Sequence, residues 1–187
     1  MRIVPPLSLL SFLALLGCAA GPPAGAALVA SSAGPAAEAQ APIDLPARLL
    51  AAHNRERALV GVPPLVWDAQ LAADAASYGP ALAALGRLEH SPRAGRPGQS
   101  ENLWMGTAGA YSPEQMVESW TREKAWFRPG IFPDVSSTGN WLDVSHYTLM
   151  IWRSTARVGC AVNRAAAWDY LICRYSPRGN IDGQRVP

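Results

Sequence analysis

The chain has 187 residues, of which 49% are hydrophobic and 16% are charged, and its formal net charge is +2. These values suit one globular domain with extensions, and the near-neutral charge gives no basic surface for nucleic acid. Its three cysteines include no C-x-x-C pair, so neither a zinc knuckle nor a thioredoxin-type redox site is indicated.

The first 18 residues have the pattern of an export signal. Arg2 supplies a positive charge, and residues 7–17 form an apolar core that is too short to span a bilayer unaided. The segment ends in Leu-Leu-Gly-Cys, which resembles a bacterial lipobox and predicts lipidation of Cys18. The alternative is a soluble secretory signal cut near residues 24–26. Both interpretations predict an extracytoplasmic protein, either secreted or an outer-membrane lipoprotein, in a compartment where disulfides persist.

A linker separates this signal from the globular part. Residues 19–42 are rich in Ala, Pro and Gly and carry a single charge, so they cannot bury a core and are typical of a tether. The globular domain is therefore predicted to cover residues 43–187.

Two helices are predicted at the start of this domain. Asp44 is placed to cap the first helix, with a proline in its first turn, and Gly61 ends it. After an extended connector, Asp68 is placed to cap the second helix, which we expect residues 79–80 (Gly-Pro) to break or kink.

The middle of the chain alternates between loop and short elements. Residues 86–100 have the composition of a loop and contain His90, and a short strand over 101–105 begins with Glu101. Ser112 begins a third helix with proline and glutamine at the positions of a capping box. Residues 128–145 have the composition of a loop.

A short helix and a hairpin complete the domain. The helix is predicted over 146–152, with His146 at its start and an apolar run behind it. The hairpin strands are predicted at 157–162 and 168–173. In the register set by the intervening turn, Cys160 lies opposite Cys173, within the distance range that a disulfide needs.

Four residues, His90, Glu101, Glu123 and His146, could share one site. Neutral imidazoles are ligands for zinc and similar divalent ions, and carboxylates bind such an ion or hold its bound water. A helix start favours a neutral His146. The residue spacing fits no local metal motif, so ordinary polar groups on loops and helix edges remain the alternative.

Six sequence motifs occur in a fixed order along residues 43–187. They are HNRER (53–57), PLVWD (64–68), ENL (101–103), WTRE (120–123), HYTLMIW (146–152) and CRYSPRGN (173–180). They resemble the signatures of the CAP superfamily, which contains cysteine-rich secretory proteins, antigen 5 and plant pathogenesis-related class-one proteins. CRYSPRGN is similar to the family's C-N-Y-x-P-x-G-N signature, and GQR at 183–185 is most similar to the plant class.

This resemblance implies an α/β fold, a three-layer α-β-α sandwich with a small, mainly antiparallel central sheet. It also implies an exported protein whose central cleft is lined by two histidines and two glutamates, which here are His90, Glu101, Glu123 and His146. The family pairs the cysteines of the last hairpin, in agreement with the register argument. Leu149 stands where the HYTQ signature has glutamine, which removes one polar group near the cleft.

The predicted function is the binding of a ligand or partner at the cell envelope, with zinc or another divalent metal held by His90 and His146. The expected partners are a membrane, through the lipid anchor, and an unidentified small molecule, lipid or protein, with no nucleic acid. One alternative is a metal-dependent hydrolase in which Glu101 or Glu123 is the general base. Another is a lipid or sterol carrier, and whether the protein is an enzyme stays open.

A serine-histidine-aspartate triad formed by Asp143, Ser145 and His146 is disfavoured. Residues this close in sequence seldom converge in that way, and the chain has no G-x-S-x-G motif.

Overall fold

The computed structural model describes residues 44–187. The predicted export signal (1–18), its Cys18 and the linker (19–42) lie outside the described residues, and their boundaries stay predictions. Between residues 44 and 187, no helix combines the length and apolarity needed to cross a bilayer.

Helices and strands alternate along the described residues. The α-helices are α1 (Leu45–Leu59), α2 (Ala69–Leu85), α3 (Pro113–Thr121) and α4 (Ser145–Met150). The strands are β1 (Val66–Trp67), β2 (Ser100–Thr107), β3 (Gly130–Ile131), β4 (Arg157–Ala165), β5 (Trp168–Ser176) and β6 (Arg185–Val186). Short 3-10 segments lie at Arg93–Gly95, Arg122–Ala125 and Trp141–Val144.

The main sheet has the order β1-β4-β5-β2, with β1 parallel to β4 and the other pairs antiparallel. Alternate side chains of β5 face opposite layers, as the pleat requires. Tyr170 and Ile172 pack with α2, whereas Leu171 and Cys173 pack with residues of α1, α3 and α4. The predicted α-β-α sandwich is therefore confirmed.

The first three helices begin where they are predicted, and two of their three predicted side-chain caps are confirmed. Asp68 accepts two backbone hydrogen bonds at the start of α2, and Ser112 and Gln115 form the capping box of α3. Asp44 precedes α1 but its side chain makes no capping hydrogen bond, so that prediction was wrong. Pro46 at the second helical position removes one of the N–H groups that such a cap would use.

Helix α2 continues through Gly79-Pro80 instead of breaking there. Leu82 is fully buried, so packing against the sheet holds the last turns in place. The side-chain amide of Asn163 also donates to the Gly79 carbonyl at 3.2 Å. A Cβ at position 79 would lie 2.7 Å from the Asn163 Cβ, so glycine is needed for this approach of helix and strand.

The C-terminal hairpin has the predicted register. Cys160 lies opposite Cys173, and a disulfide joins them, which confirms that pairing. Strand β4 is longer than predicted because the turn narrows to Ala166 and Ala167, with Ala166 at a φ of 49°. Strand β5 begins at the predicted residue and continues to Ser176 at its far end.

The segment predicted as a loop over 128–145 contains more structure than expected. It includes β3, which pairs with β6, and the 3-10 segment before α4. Its Phe132, Val135 and Val144 are buried against Tyr147 and Trp152, forming a second small core. Helix α4 is therefore anchored on this side as well as against the main core.

Candidate functional site

A cavity of about 220 Å³ opens between the loop before β2, helix α4 and the segment after β5. His90 on that loop, Glu101 on β2 and His146 on α4 all line it. Glu123 is not among the lining residues but contacts His146 directly. The fold thus brings three of the four predicted residues to one cavity and places the fourth beside it.

The first histidine-carboxylate pair joins His90 to a buried glutamate. His90 Nδ1 lies 2.8 Å from Glu101 Oε1, and the Glu101 side chain is 0% exposed. Ser91 donates to both carboxylate oxygens, from its backbone N–H at 2.9 Å and its hydroxyl at 3.0 Å. Burial raises the pKa of this carboxyl, but the bonds with His90 and Ser91 and the charge of Arg174 together place the pKa below its ordinary value.

Arg174 on β5 is the counter-ion of this glutamate, a role that was not predicted from the sequence. Its Nε lies 2.9 Å from Glu101 Oε2, as an ionic contact that is not aligned for a hydrogen bond. Its guanidinium also donates to the Ser91 hydroxyl at 3.0 Å, and the residue is 3% exposed. The feature of the sequence that could have predicted this role is position 174, where an arginine stands in place of the asparagine of the C-N-Y signature.

The second pair joins His146 to Glu123 in the 3-10 segment after α3. His146 Nδ1 lies 2.5 Å from Glu123 Oε1, and the backbone N–H groups of His146 and Tyr147 donate to Glu123 Oε2 at 2.9 and 3.0 Å. Glu123 therefore satisfies the first amides of α4. The imidazole also stacks on Trp120, with ring centroids 6.1 Å apart.

The two pairs share one arrangement of nitrogen atoms. Each histidine uses Nδ1 for a carboxylate, and within residues 44–187 its Nε2 has no hydrogen-bond partner. Among the same residues, no group of three or more His, Cys, Asp or Glu side chains is placed to hold a metal ion. The metal ligands that these residues offer to the cavity are therefore the Nε2 atoms of the two histidines, and not a cluster of all four side chains.

Two asparagines fix α4 against the rest of the cavity wall. Asn102 donates to the carbonyl of His146 at 3.1 Å, and Asn180 donates to the carbonyl of Ser145 at 2.9 Å. Both asparagines lie in the sequence motifs, at 101–103 and 173–180, but no role was predicted for them. Leu149 contributes an apolar wall and is 3% exposed, because it packs into the core at the position where the signature has glutamine.

The remaining histidine, His53 on α1, lies in the core. Its Nδ1 donates to the Leu49 carbonyl at 2.7 Å, so its Nε2 accepts from the Tyr175 hydroxyl at 2.8 Å. Burial lowers the pKa of His53 to about 4, with the Leu49 hydrogen bond opposing the shift and the charge of Arg57 adding to it. His53 is not a lining residue of the cavity and serves as an internal reference for the other two.

The disfavoured triad is not assembled. The hydroxyl of Ser145 donates to the Leu142 carbonyl, Asp143 accepts from Thr138, and Nδ1 of His146 is bonded to Glu123.

The cysteine-rich secretory protein family, CAP, matches residues 50–175 of this chain. Pathogenesis-related protein 1C of Nicotiana tabacum is 39% identical over 136 residues, which are 72% of this chain and 76% of that protein. Pathogenesis-related protein PR-1 type of Sambucus nigra is 36% identical over 72% of this chain and 77% of its own length. The chain belongs to the CAP family, and its likeness to the pathogenesis-related proteins is confirmed.

Solved structures share the fold. The crystal structure of NaASP2 with Zn²⁺ has a TM-score of 0.66 at 22% identity, covering 80% of this chain and 87% of the other. The structure of BmVAL-1 has a TM-score of 0.65 at 21% identity, covering 79% and 83%. Membership of a family of secretory proteins and the hairpin disulfide agree with the predicted location outside the cytoplasm.

Proposed function

We propose that this protein binds a ligand at the cell envelope through the cavity between β2 and α4, and that His90 and His146 bind one divalent metal ion there. The observation that carries the proposal is the shared geometry of the two histidines. Both line the cavity, and both use Nδ1 for a carboxylate. Metal-binding histidines in proteins have this partner on the second nitrogen, because it fixes the tautomer and turns the other nitrogen towards the ion.

The residues present fit a metal ion with an incomplete protein shell. Two imidazole nitrogens suit zinc and similar ions, and water or a ligand atom would supply the other positions. A bound ion would contribute a positive charge and Lewis acidity to the cavity. Zinc is the ion to test first, because it is also the ion named for a neighbour of the same fold.

The contacts of the two glutamates favour a role in orienting the histidines over the role of a general base. Both oxygens of Glu101 accept hydrogen bonds or face Arg174, and both oxygens of Glu123 contact His146. A general base needs an accessible oxygen within reach of its proton. The binding function is therefore favoured over the hydrolase, since neither carboxylate is directed to a reacting group.

Calorimetric titration of zinc tests the metal site. His90→Ala and His146→Ala should each lower the affinity by at least the roughly 10- to 100-fold that loss of an outer hydrogen-bond partner costs. His53→Gln is the matched control, because it removes the histidine that lies in the core. Equal affinity in the wild type and in both cavity variants would overturn the proposal.

We further propose that the exported chain is anchored by a lipid on Cys18. The Leu-Leu-Gly-Cys ending of the apolar segment supports this attachment. Cys18→Ser should move the protein from the membrane fraction to the soluble fraction, with Cys160→Ser as a control that leaves the attachment site intact. A wild-type protein that is already soluble after export would contradict the anchor.

A further inference from the structure

Positively charged side chains dominate the mouth of the cavity. Arg93, Arg96 and Arg178 line it together with the two histidines, and the same three arginines line an adjoining cavity of about 180 Å³. The other residues around that second cavity are Pro97, Gly98 and Gln99, which carry no charge. The three arginines thus line both recesses.

The carboxylate in the main cavity does not neutralise these arginines. Glu101 is the acidic residue of the lining, and its charge is already matched by the buried guanidinium of Arg174. Within residues 44–187, none of the three lining arginines lies in an ion pair with an Asp or Glu. Burial lowers the pKa of Arg96, and the charges of Arg174 and Arg93 lower it further, against the opposing charge of Glu101.

The side-chain amide N–H groups of the lining asparagines and the hydroxyls of the lining serines make hydrogen bonds within the fold. Asn102 and Asn180 donate to carbonyls of α4, and the Ser100 hydroxyl exchanges hydrogen bonds with Gly179. Arg96 donates to the carbonyls of Ser91 and Gln99. Within the described residues, the guanidiniums of Arg93 and Arg178 make no hydrogen bond and therefore present free donors at the mouth.

We propose that Arg93, Arg96 and Arg178 form an anion-binding subsite and that the ligand of the cavity is a small soluble molecule carrying a phosphate or carboxylate group. A guanidinium presents a planar fork of N–H donors that matches the oxygens of both groups. The recess is small, so it takes a compact charged group rather than a folded partner. This inference rests on the proposal that the cavity binds a ligand, and it adds the chemical class.

The test is a titration of metal-free protein with inorganic phosphate and, separately, with acetate, followed by NMR on the arginine side-chain N–H signals. The chelator that is used to remove metal from the protein is itself a polyanion, so it is separated by gel filtration before the titration. Arg93→Gln/Arg178→Gln should weaken phosphate binding at least about tenfold, since two charge-assisted contacts are lost. Arg55→Gln/Arg128→Gln changes the net charge equally at exposed positions outside the cavity and should bind as the wild type does.

Further measurements identify the anionic group of the ligand and test the role of the guanidinium groups. Tighter binding of phosphate than of acetate assigns a phosphate group, and the reverse assigns a carboxylate. Arg93→Lys/Arg178→Lys keeps the charge and loses the fork, so an intermediate affinity is expected. Zinc is titrated separately into phosphate-free wild type, so failure of the metal site and failure of this subsite give different readouts. Equal phosphate affinity in the wild type and the glutamine double variant, with the fold retained, would overturn the inference.

Discussion

The two histidine-carboxylate pairs beside the cavity consist of the same residue types, but different partners hold their carboxylates in place. Glu101 is fully buried and is held by a buried guanidinium and by Ser91. Glu123 is 14% exposed and is held by the first amides of a six-residue helix. The histidines differ in the opposite sense, with His90 more exposed than His146.

The same arrangement, a histidine Nδ1 bonded to a glutamate, is thus built once around a buried ion pair and once at a helix start. A buried ion pair is costly to disrupt, because removing one partner leaves a charge without compensation in a medium of low polarity. A carboxylate at a helix start satisfies amides that water could otherwise reach. Loss of Arg174 beside Glu101 should therefore lower the free energy of unfolding far more than loss of the Glu123 side chain at the start of α4.

The largest expected effect follows from Arg174→Ala. The variant leaves Glu101 buried without its counter-ion, so the free energy of unfolding should fall by about 3 kcal/mol. Equilibrium denaturation of wild type and variant at neutral pH measures this difference.

Arg174→Asn with Glu101→Gln is the matched control for that variant. It removes both charges and places an asparagine at 174, as in the family signature, so much of the lost stability should return. A double variant no more stable than Arg174→Ala would show that the buried ion pair is not the source of the effect.

The core histidine gives a pH dependence that the cavity histidines can be compared with. Its folded pKa of about 4 lies below the ordinary 6.5, so the unfolded chain binds a proton that the folded chain does not as the pH falls below 6.5. The stabilising contribution is complete above pH 6.5 and is lost progressively towards pH 4. Between pH 7 and pH 5 the loss should be about 2 kcal/mol.

The difference between wild type and His53→Gln isolates this term, because both proteins keep His90 and His146. Denaturant unfolding at the two pH values should show a shallower pH dependence in the variant. Identical dependence in both would mean that His53 is not the group responsible.

The smallest effect is expected at the second pair. Glu123→Ala removes the acceptor for two amides of α4 and should lower the free energy of unfolding by about 1 kcal/mol, the usual cost of losing a helix cap. Glu123→Gln keeps an acceptor oxygen and should cost less. If Glu123→Ala is as destabilising as Arg174→Ala, the contrast between the two supports is wrong.

Local patterns were enough to predict much of the fold. Strand alternation and the turn gave the register that places Cys160 opposite Cys173, and the Ser112 capping box lies within four residues. The continuation of α2 past Pro80 depends on the packing of Leu82 against the sheet, which no local pattern contains.

The site was predictable in its residues but not in their contacts. The family motifs identified both histidines and both glutamates. The partner of Glu101 lies on another strand, and Glu123 reaches α4 across 23 residues of chain. Such contacts are set by tertiary structure, so sequence reasoning gave the glutamates the role of water-holding groups, whereas their positions support an orienting role.

The proposed metal site requires His90 and His146 to bind one ion together through Nε2. Two-bond proton-nitrogen NMR of the imidazole rings measures this most directly as zinc is added. We expect the Nε2 signals of His90 and His146 to shift together and to stop shifting at one equivalent, while those of His53 stay in place. Shifts at Nδ1, shifts of one cavity histidine alone, or no shift in either would contradict it.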